Sequence, residues 1–569
     1  MKNREVARIF FEIAELLEMK EVQFKPRAYR RAAQTIESLP VAIEEVYGEG
    51  KLEELPGVGS SIAKKIEEII KTGRLEYYEE LKREFPTSVL SLASVPGIGP
   101  KRAKILYEGL GVENLDDLEK AASEHRISTL EGFGEKLERE ILEAVALAKK
   151  KKERELLGFV LPIAEDIQRR LQSLKEVKTV ELAGSVRRRR ETVGDVDILA
   201  VSTSPQKVMD LFANMEMVKE VVSKGDTKSS VRLDIGLSAD LRVVEEESFG
   251  SALQYFTGSK EHSIKIRKIA IKKRLKLNEY GVFTKAGKKI AGETEDGVYR
   301  ALGLPFIDPE LREDRGEVEA ALIGELPNLV TLSDIKGDFH VHSKWSEGTA
   351  SIEELAEYGK KRGYEYLCIT DHTGTLRIAH GLSEKRILEQ IEEIERVNNH
   401  IEHFHVFSGA EVNLMADGTL DISDNILKQL DFVIASIHTG FKMKTEAMTK
   451  RLIRAIENEN VDIIGHPTGR IINEREAYDF DFDEVFDAAR KKGTCFEINA
   501  FPDRLDLNDV NAHTAKERGL KLAIGTDAHR PDHMRFMEFG VAVARRGWLE
   551  KRDLLNTLSS KELLGTIKK

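Results

Sequence analysis

Apolar positions in the first part of the chain fall at helical spacing. In REVARIFFEIAELLEM (4–19) they recur at i, i+3 and i+4, and residues 27–38 repeat the pattern, predicting amphipathic helices that bury one face. Three segments then share one design: LPGVGSSIAKKI (55–66), VPGIGPKRAKIL (95–106) and LEGFGEKLEREI (130–141). Each sets an apolar residue before a Gly-apolar-Gly turn and begins a helix at once. The glycines, Gly57 with Gly59 and Gly97 with Gly99 in the first two copies, permit a tight turn that aims free backbone N–H groups outward. Such a turn binds a phosphate without reading a base. A single copy is as well explained as a packing unit. Repetition, with Lys64, Lys65 and Lys101 close behind two of the turns, favours contact with a DNA backbone. The third copy is acidic after its turn and reads as structural. Residues 1–150 are expected to be helical throughout.

Near residue 155 the pattern changes to mixed strands and helices. A helix over about 159–174 leads to a strand at 179–183, a Gly184-Ser185 turn, and GSVRRRRETVGDVDILA (184–200). In DVDILAV the strand period of two puts Asp195 and Asp197 on one face. Neighbouring carboxylates repel unless a divalent cation lies between them, and hard oxygen ligands suit Mg²⁺, which takes phosphates as further ligands. Four arginines beside them could be a solvated loop, but they also suit those phosphates. VRLDIGL and ADLRVV predict two antiparallel strands joined by a short turn. Asp240 opens the second and is the natural third carboxylate; Asp234 on the first competes with it.

GS-x-RR, GDVD, DLRVV and Tyr-Phe-Thr-Gly-Ser at 255–259, behind helical hairpins, resemble the family X DNA polymerases of the polymerase beta type over about residues 1–315. The resemblance implies that Asp195, Asp197 and Asp240 hold a pair of Mg²⁺ (or Mn²⁺) ions, which activate a primer 3′-hydroxyl and neutralise charge on dNTP phosphates. It implies that Gly184, Ser185 and Arg188 grip the triphosphate and that Tyr255, Phe256 and Gly258 press on the incoming nucleotide. Arg267 would touch the template strand. Ser263 departs from the asparagine of vertebrate members, and Lys260 adds a cation near the triphosphate. In the first hairpin Lys65 matches the lysine that forms a Schiff base when vertebrate members remove a 5′-deoxyribose phosphate. Lys25 and Tyr29 match neighbours of that pocket, whereas Ser61 replaces a phosphate-binding lysine. Lys25, Arg30, Lys64 and Lys65 together would make an amine more acidic by repulsion.

A second constellation follows. GDFHVHSKWSEG (337–348), TDH (370–372), GAEV (409–412), SIH (436–438), GHPTG (465–469) and GTDAH (525–529) each follow an apolar β-rich run and precede a helical stretch. Repeated strand–loop–helix units bring such loops to one rim of a barrel. Histidines and carboxylates without a thiol then indicate a multinuclear Zn, Mn or Fe site. The motifs resemble the PHP (polymerase and histidinol phosphatase) domain, a distorted (βα)7 barrel with three metals. By that resemblance His340, His342, Glu411 and Asp527 bind one ion. Glu411 bridges to a second held by His438 and His466, and Glu347, His372 and His529 hold a third. Glu347 replaces the usual Asp. Asp371 is expected to orient a histidine; His380, His400, His403, His405, His513 and His533 are expected on the surface or in packing.

The length of 569 residues requires several domains. The expected division is a hairpin 5′-phosphate-binding domain (1–80), a helical fingers-type domain (81–158), a nucleotidyltransferase palm (159–245), a thumb (246–316), a linker (317–335) and the barrel (336–569). The formal net charge of −11 speaks against nucleic acid, but residues 260–289 hold eleven Lys or Arg against two Glu. Local charge sets binding to a polyanion. Cys368 and Cys495 lie in apolar runs and are expected as buried thiols in a cytoplasmic protein. No membrane span is expected. The fold class is thus multidomain α+β and α/β. The expected function is gap-filling synthesis in DNA repair on gapped or primed duplex DNA and dNTPs, by a monomer, with a Zn²⁺- or Mn²⁺-dependent 3′–5′ exonuclease, 3′-end phosphoesterase or abasic-site endonuclease attached. Two alternatives remain: an RNA-type nucleotidyltransferase with a small-molecule phosphatase, which the three hairpins oppose, and a DNA-end-binding scaffold with one inactive domain, which the full ligand set opposes.

Overall fold

The computed structural model describes the chain apart from residues 1–2, 21, 23–24, 38–42, 49, 56, 86–88, 91, 93–94, 96–97, 153, 375–379 and 567–569. It divides into two compact units, residues 1–153 and 154–569.

Every secondary-structure element described in the first unit is a helix. Helix Asn3–Met19 buries Val6, Phe10, Ile13 and Leu17, the face its spacing defines, against helix Lys25–Glu37. Two hairpin turns keep the expected form. Gly59 and Gly99 sit in extended backbone as N-caps of helices Ser60–Thr72 and Pro100–Leu110. Neither cap supplies a side-chain acceptor to its helix start, and Pro100 at the head of the second helix has no N–H of its own. Gly57 turns at φ 84°, a conformation that a side chain disfavours. Gly97 lies outside the described residues.

In the second unit a five-stranded sheet runs in the order Val177–Leu182, Asp195–Ser202, Ser238–Val243, Lys228–Leu233 and Val218–Lys224. Helices Leu157–Gln172 and Pro205–Ala213 cover it through Val160, Ile167, Val208 and Phe212, all fully buried. Strand Ser238–Val243 runs parallel to Asp195–Ser202 and pairs Asp240 directly with Asp197. The expected antiparallel pair forms between Lys228–Leu233 and Ser238–Val243, with Asp234 exposed in the turn between them.

Seven parallel strands in chain order, from Gly337–Val341 to Leu522–Gly525, make the barrel. Closure comes from Val341 bridging Ala528 and from His342 N–H donating to the Ala528 carbonyl at 2.8 Å. The apolar core of the sheet region continues without a break into the barrel, from Leu157 to Leu554. The stretch expected as a linker carries helix Glu317–Ile323, whose Glu317 is fully buried against His262 at 2.6 Å and whose Val318 joins the core of the preceding segment. An acidic, Gly-containing stretch reads as a linker because its partners lie far away in sequence.

Candidate active sites

The first site lies where strand Asp195–Ser202 begins. Asp195 and Asp197 share one face, and Asp240 stands beside Asp197 on the adjacent strand. Burial pushes Asp197 up to about 7, reinforced by the Asp195 and Asp240 carboxylates. Three carboxylates this close, one of them holding a proton near neutrality, form a donor set that a divalent cation would satisfy. Gly184 crosses Asp197 at φ 57°, where a Cβ would come within 2.5 Å of the Asp197 Oδ2. Only glycine fits that turn.

A cleft of about 450 Å³ opens over Asp195 and Asp197. It is lined by Gly184, Ser185, Arg188, Tyr255, Phe256, Gly258, Lys260, Ser263 and Arg267, with Arg154 and Arg190 added. Thus every residue expected at the nucleotide faces one cavity. The hydroxyls of Ser185 and Ser263 are buried there without a hydrogen-bond partner, as a polar ligand site requires. Tyr255 and Phe256 end helix Phe249–Thr257, and the Arg267 guanidinium lies 5.9 Å from the Tyr255 ring centre. The arginine run splits by role. Arg187 turns away and grips Glu295 through two bonds of 3.0 and 2.7 Å, while Arg188 and Arg190 face the cleft from opposite oxygens of Glu313. Arg154, which the sequence reading missed, is held by Thr192 at 3.0 Å. It lies in a charged stretch with nothing to distinguish it from a solvated arginine.

The second site sits at the rim formed by the ends of the barrel strands. Glu411 is its centre: Oε1 lies 2.9 Å from His466 and 3.2 Å from His438, and Oε2 lies 2.8 Å from His372 and 3.4 Å from His340. His342 approaches Asp527 at 3.2 Å, and Glu347 bridges His372 at 2.9 Å and His529 at 2.7 Å. All nine residues expected there converge. Eight of them form three overlapping groups: His342, Glu347, His372 and His529; His340, His342 and Asp527; His372, Glu411 and His438; His466 joins them through Glu411. His342 and His372 are therefore each shared between two groups, a grouping that motif order does not give. Burial and then His529 drive His342 down to about 3, and burial with Arg504 drives His466 down to about 4. Burial would raise Glu411, but His372, His438 and His340 hold it well below the usual carboxylate range. Burial would lower His340, His372 and His529 as well, but the carboxylates of Glu497, Glu411 and Glu347 beside them hold all three above the usual imidazole range. A bound cation would have to displace their protons. The Nε2 of His340 is fully buried and lacks any hydrogen-bond partner, so the donor set fits a metal ion.

The residues that orient these ligands were mostly missed. Glu497 takes the His340 Nδ1 at 2.6 Å, and Asn413 takes the His438 Nδ1 at 2.7 Å. Asp371, expected beside a histidine, instead accepts from Ser343, Ser346 and Gln390 and so shapes the loop after His342. Its short side chain points down that loop, not toward the rim. Arg504 stands 3.5 Å from Asp527, and Arg470 ties the carbonyls of Arg504 and Leu505 to Glu191 beside the arginine run. A glutamate inside the apolar run TCFEI was the available signal for Glu497. Arg504 offered none. His380, His400 and His403 are exposed, while His405, His513 and His533 pack against Phe407, Trp548 and Phe536. Cys368 and Cys495 are buried free thiols.

Around Lys65 the picture is mixed. Its ammonium lies 3.3 Å from the Ser61 hydroxyl and 5.1 Å from the Tyr77 ring centre. Tyr29 is 6% exposed and stacks between Phe10 and Tyr77, and Lys25 is exposed. Arg30 is taken up by Glu18, with one contact at 2.8 Å, so its charge does not act unopposed on the lysines.

Family models match in the order the folds occur: a helix-hairpin-helix domain over 1–75, a SAM-like helix-hairpin-helix tandem over 89–146, the DNA polymerase beta thumb over 252–313 and the PHP domain over 338–501. The DNA polymerase/3′-5′ exonuclease PolX of Bacillus subtilis is 39% identical over 573 residues, covering 100% of both chains. A probable phosphatase of Thermoanaerobacter sp. is 34% identical over 235 residues, 39% of this chain and 89% of that one. No helix among the described residues is long and apolar enough to cross a membrane. With hairpins, thumb and barrel in that order, and an end-to-end relative of the same build, the chain belongs to the family X DNA polymerases that carry a C-terminal PHP domain.

Proposed function

We propose that this chain fills short gaps in duplex DNA during repair and removes nucleotides or blocking groups from 3′ ends at the barrel site. The observation that carries the reading is the basic cleft with two unpartnered serine hydroxyls over Asp195 and Asp197, with Asp240 paired beside Asp197. Mg²⁺ or Mn²⁺ held by those carboxylates would supply Lewis-acid chemistry to phosphoryl transfer. Arg188, Arg190 and Lys260 hold the triphosphate, Ser185 donates to a phosphate oxygen, and Tyr255 and Phe256 offer apolar surface to the sugar and base. Arg267, beside Tyr255, faces the template strand. The helix starts at Gly59 and Gly99 take DNA phosphates without regard to sequence.

At the barrel, Glu347, Glu411, Asp527 and the six histidines would hold up to three Zn²⁺ or Mn²⁺ ions, and hydrolysis of a 3′ phosphoester is the chemistry that such a site suits. One labelled substrate tests both halves: a one-nucleotide-gapped duplex, with and without dNTPs, in Mg²⁺ and in Mn²⁺. One-nucleotide extension with dNTPs and shortening from the 3′ end without them are expected. A chain that only binds the duplex refutes the reading.

Lys65 is proposed as the nucleophile of a 5′-deoxyribose-phosphate lyase. Support comes from its place in the first hairpin. Ser61, which accepts from the Lys65 ammonium at 3.3 Å, weighs against it because it stands where a phosphate-binding lysine is expected. Borohydride is expected to trap a covalent complex with a nicked abasic duplex, and Lys65→Ala to cut the yield about tenfold or more. Trapping undiminished in that variant makes Lys65 a phosphate contact only.

A further inference from the structure

Glu313 is shared among three guanidinium groups. Its Oε1 accepts from Arg188 and from Arg546, each at 3.0 Å, and its Oε2 accepts from Arg190 at 3.2 Å. Arg188 and Arg190 line the polymerase cleft. Arg546 does not. It is the last residue of helix Met537–Arg546, in the barrel domain, and its side chain is only 5% exposed. Its Nη1 also donates to the Arg188 backbone carbonyl at 2.8 Å, and its Nη2 to Asp509 at 2.7 Å. Arg315 donates to the same Asp509 oxygen at 2.9 Å. Arg546 therefore fixes Arg188 at both ends, through its carbonyl and through the carboxylate that its side chain leans on.

One carboxylate divided among three cations neutralises none of them fully, so Arg188 keeps charge for an anionic ligand. Burial opposes ionisation of Glu313, but Arg546, Arg188 and Arg190 keep it below the usual range. Without Arg546, the Glu313 Oε1 would belong to Arg188 alone and the Arg188 carbonyl would lose its donor. Arg188 would then be both displaced and more fully neutralised.

We propose that Arg546 is a positioning residue for the nucleotide site: a side chain from the PHP domain that sets the orientation and free charge of Arg188. Nucleotide affinity at one active site thus depends on the domain that houses the other. The inference rests on the polymerase reading of the cleft.

The test is single-nucleotide gap filling by the full chain carrying Arg546→Ala. The KM for dNTP is expected to rise about tenfold while kcat changes by less than about twofold, since uniform binding and not chemistry is altered. Affinity for gapped DNA and the 3′-end hydrolysis rate stay as in the wild type. Arg546→Lys keeps the charge but loses the fork, and falls between. Asp509→Asn loosens Arg546 without touching Glu313; it moves KM the same way by a smaller factor and serves if the alanine variant does not fold. An unchanged dNTP KM in these variants overturns the proposal, as does a loss shared equally by hydrolysis. Absence of incorporation by the wild-type chain would defeat the polymerase reading itself, and this inference with it.

Discussion

Asp197→Ala is expected to lower dNTP incorporation by about a thousandfold or more, while metal-dependent 3′-end hydrolysis continues at its wild-type rate. Asp197 is the one carboxylate of its cluster with both others as neighbours, Asp195 along the strand and Asp240 across it. Its removal leaves a donor set unable to offset the charge of the phosphates. The barrel ligands come from other strands, so nothing in their geometry depends on it. Primer extension and 3′-end trimming on one labelled duplex give both rates, and near-normal incorporation would remove Asp195, Asp197 and Asp240 from the chemistry. A milder substitution isolates the electrostatic origin. Because burial and its two neighbours raise Asp197 from 3.8 to about 7, ionising it costs folding stability. Metal-free protein should lose stability as pH rises through that window, and Asp197→Asn should not share the loss. Thermal melts in chelator, with the two chains compared across pH 4 to 8, read the difference directly; superimposable curves would contradict it.

Removing His342 or Asp527 is expected to do the reverse. His342 belongs to two of the three ligand groups at the rim, and Asp527 meets both His340 and His342. Either alanine variant should lose bound transition metal and drop 3′→5′ hydrolysis about a thousandfold or more. Gap filling should persist, because Arg188, Asp197 and Asp240 are untouched. The full chain is the right material, since the apolar core is continuous between sheet and barrel and a fragment would expose it. Elemental analysis of the purified variants beside the wild type supplies the direct check. Zn, Mn and Fe absent from the wild type, with no gain in hydrolysis on adding them, would dismiss a metal site at the rim.

The sequence by itself determined the elements and the chemistry they carry. Period-two alternation put Asp195 and Asp197 on one face, Gly-apolar-Gly turns gave the helix starts at Gly59 and Gly99, and histidines at strand ends marked one rim. These are legible because backbone periodicity and turn geometry act over a few residues. The choice between Asp234 and Asp240 turned on strand pairing. That pairing set Asp240 in register with Asp197 and left Asp234 in a turn. Tertiary structure alone decided which ligand each orienting side chain meets. Glu497 meets His340 across 157 residues and Arg470 meets Glu191 across 279. No local pattern encodes a partner at that distance. It also decided the fate of the arginine run. Four adjacent residues of one type have identical local signals, yet Arg187 closes on Glu295 while Arg188 and Arg190 share Glu313 with Arg546. An ion pair of that kind depends on where burial strips water from both partners, and that is settled only when distant segments pack.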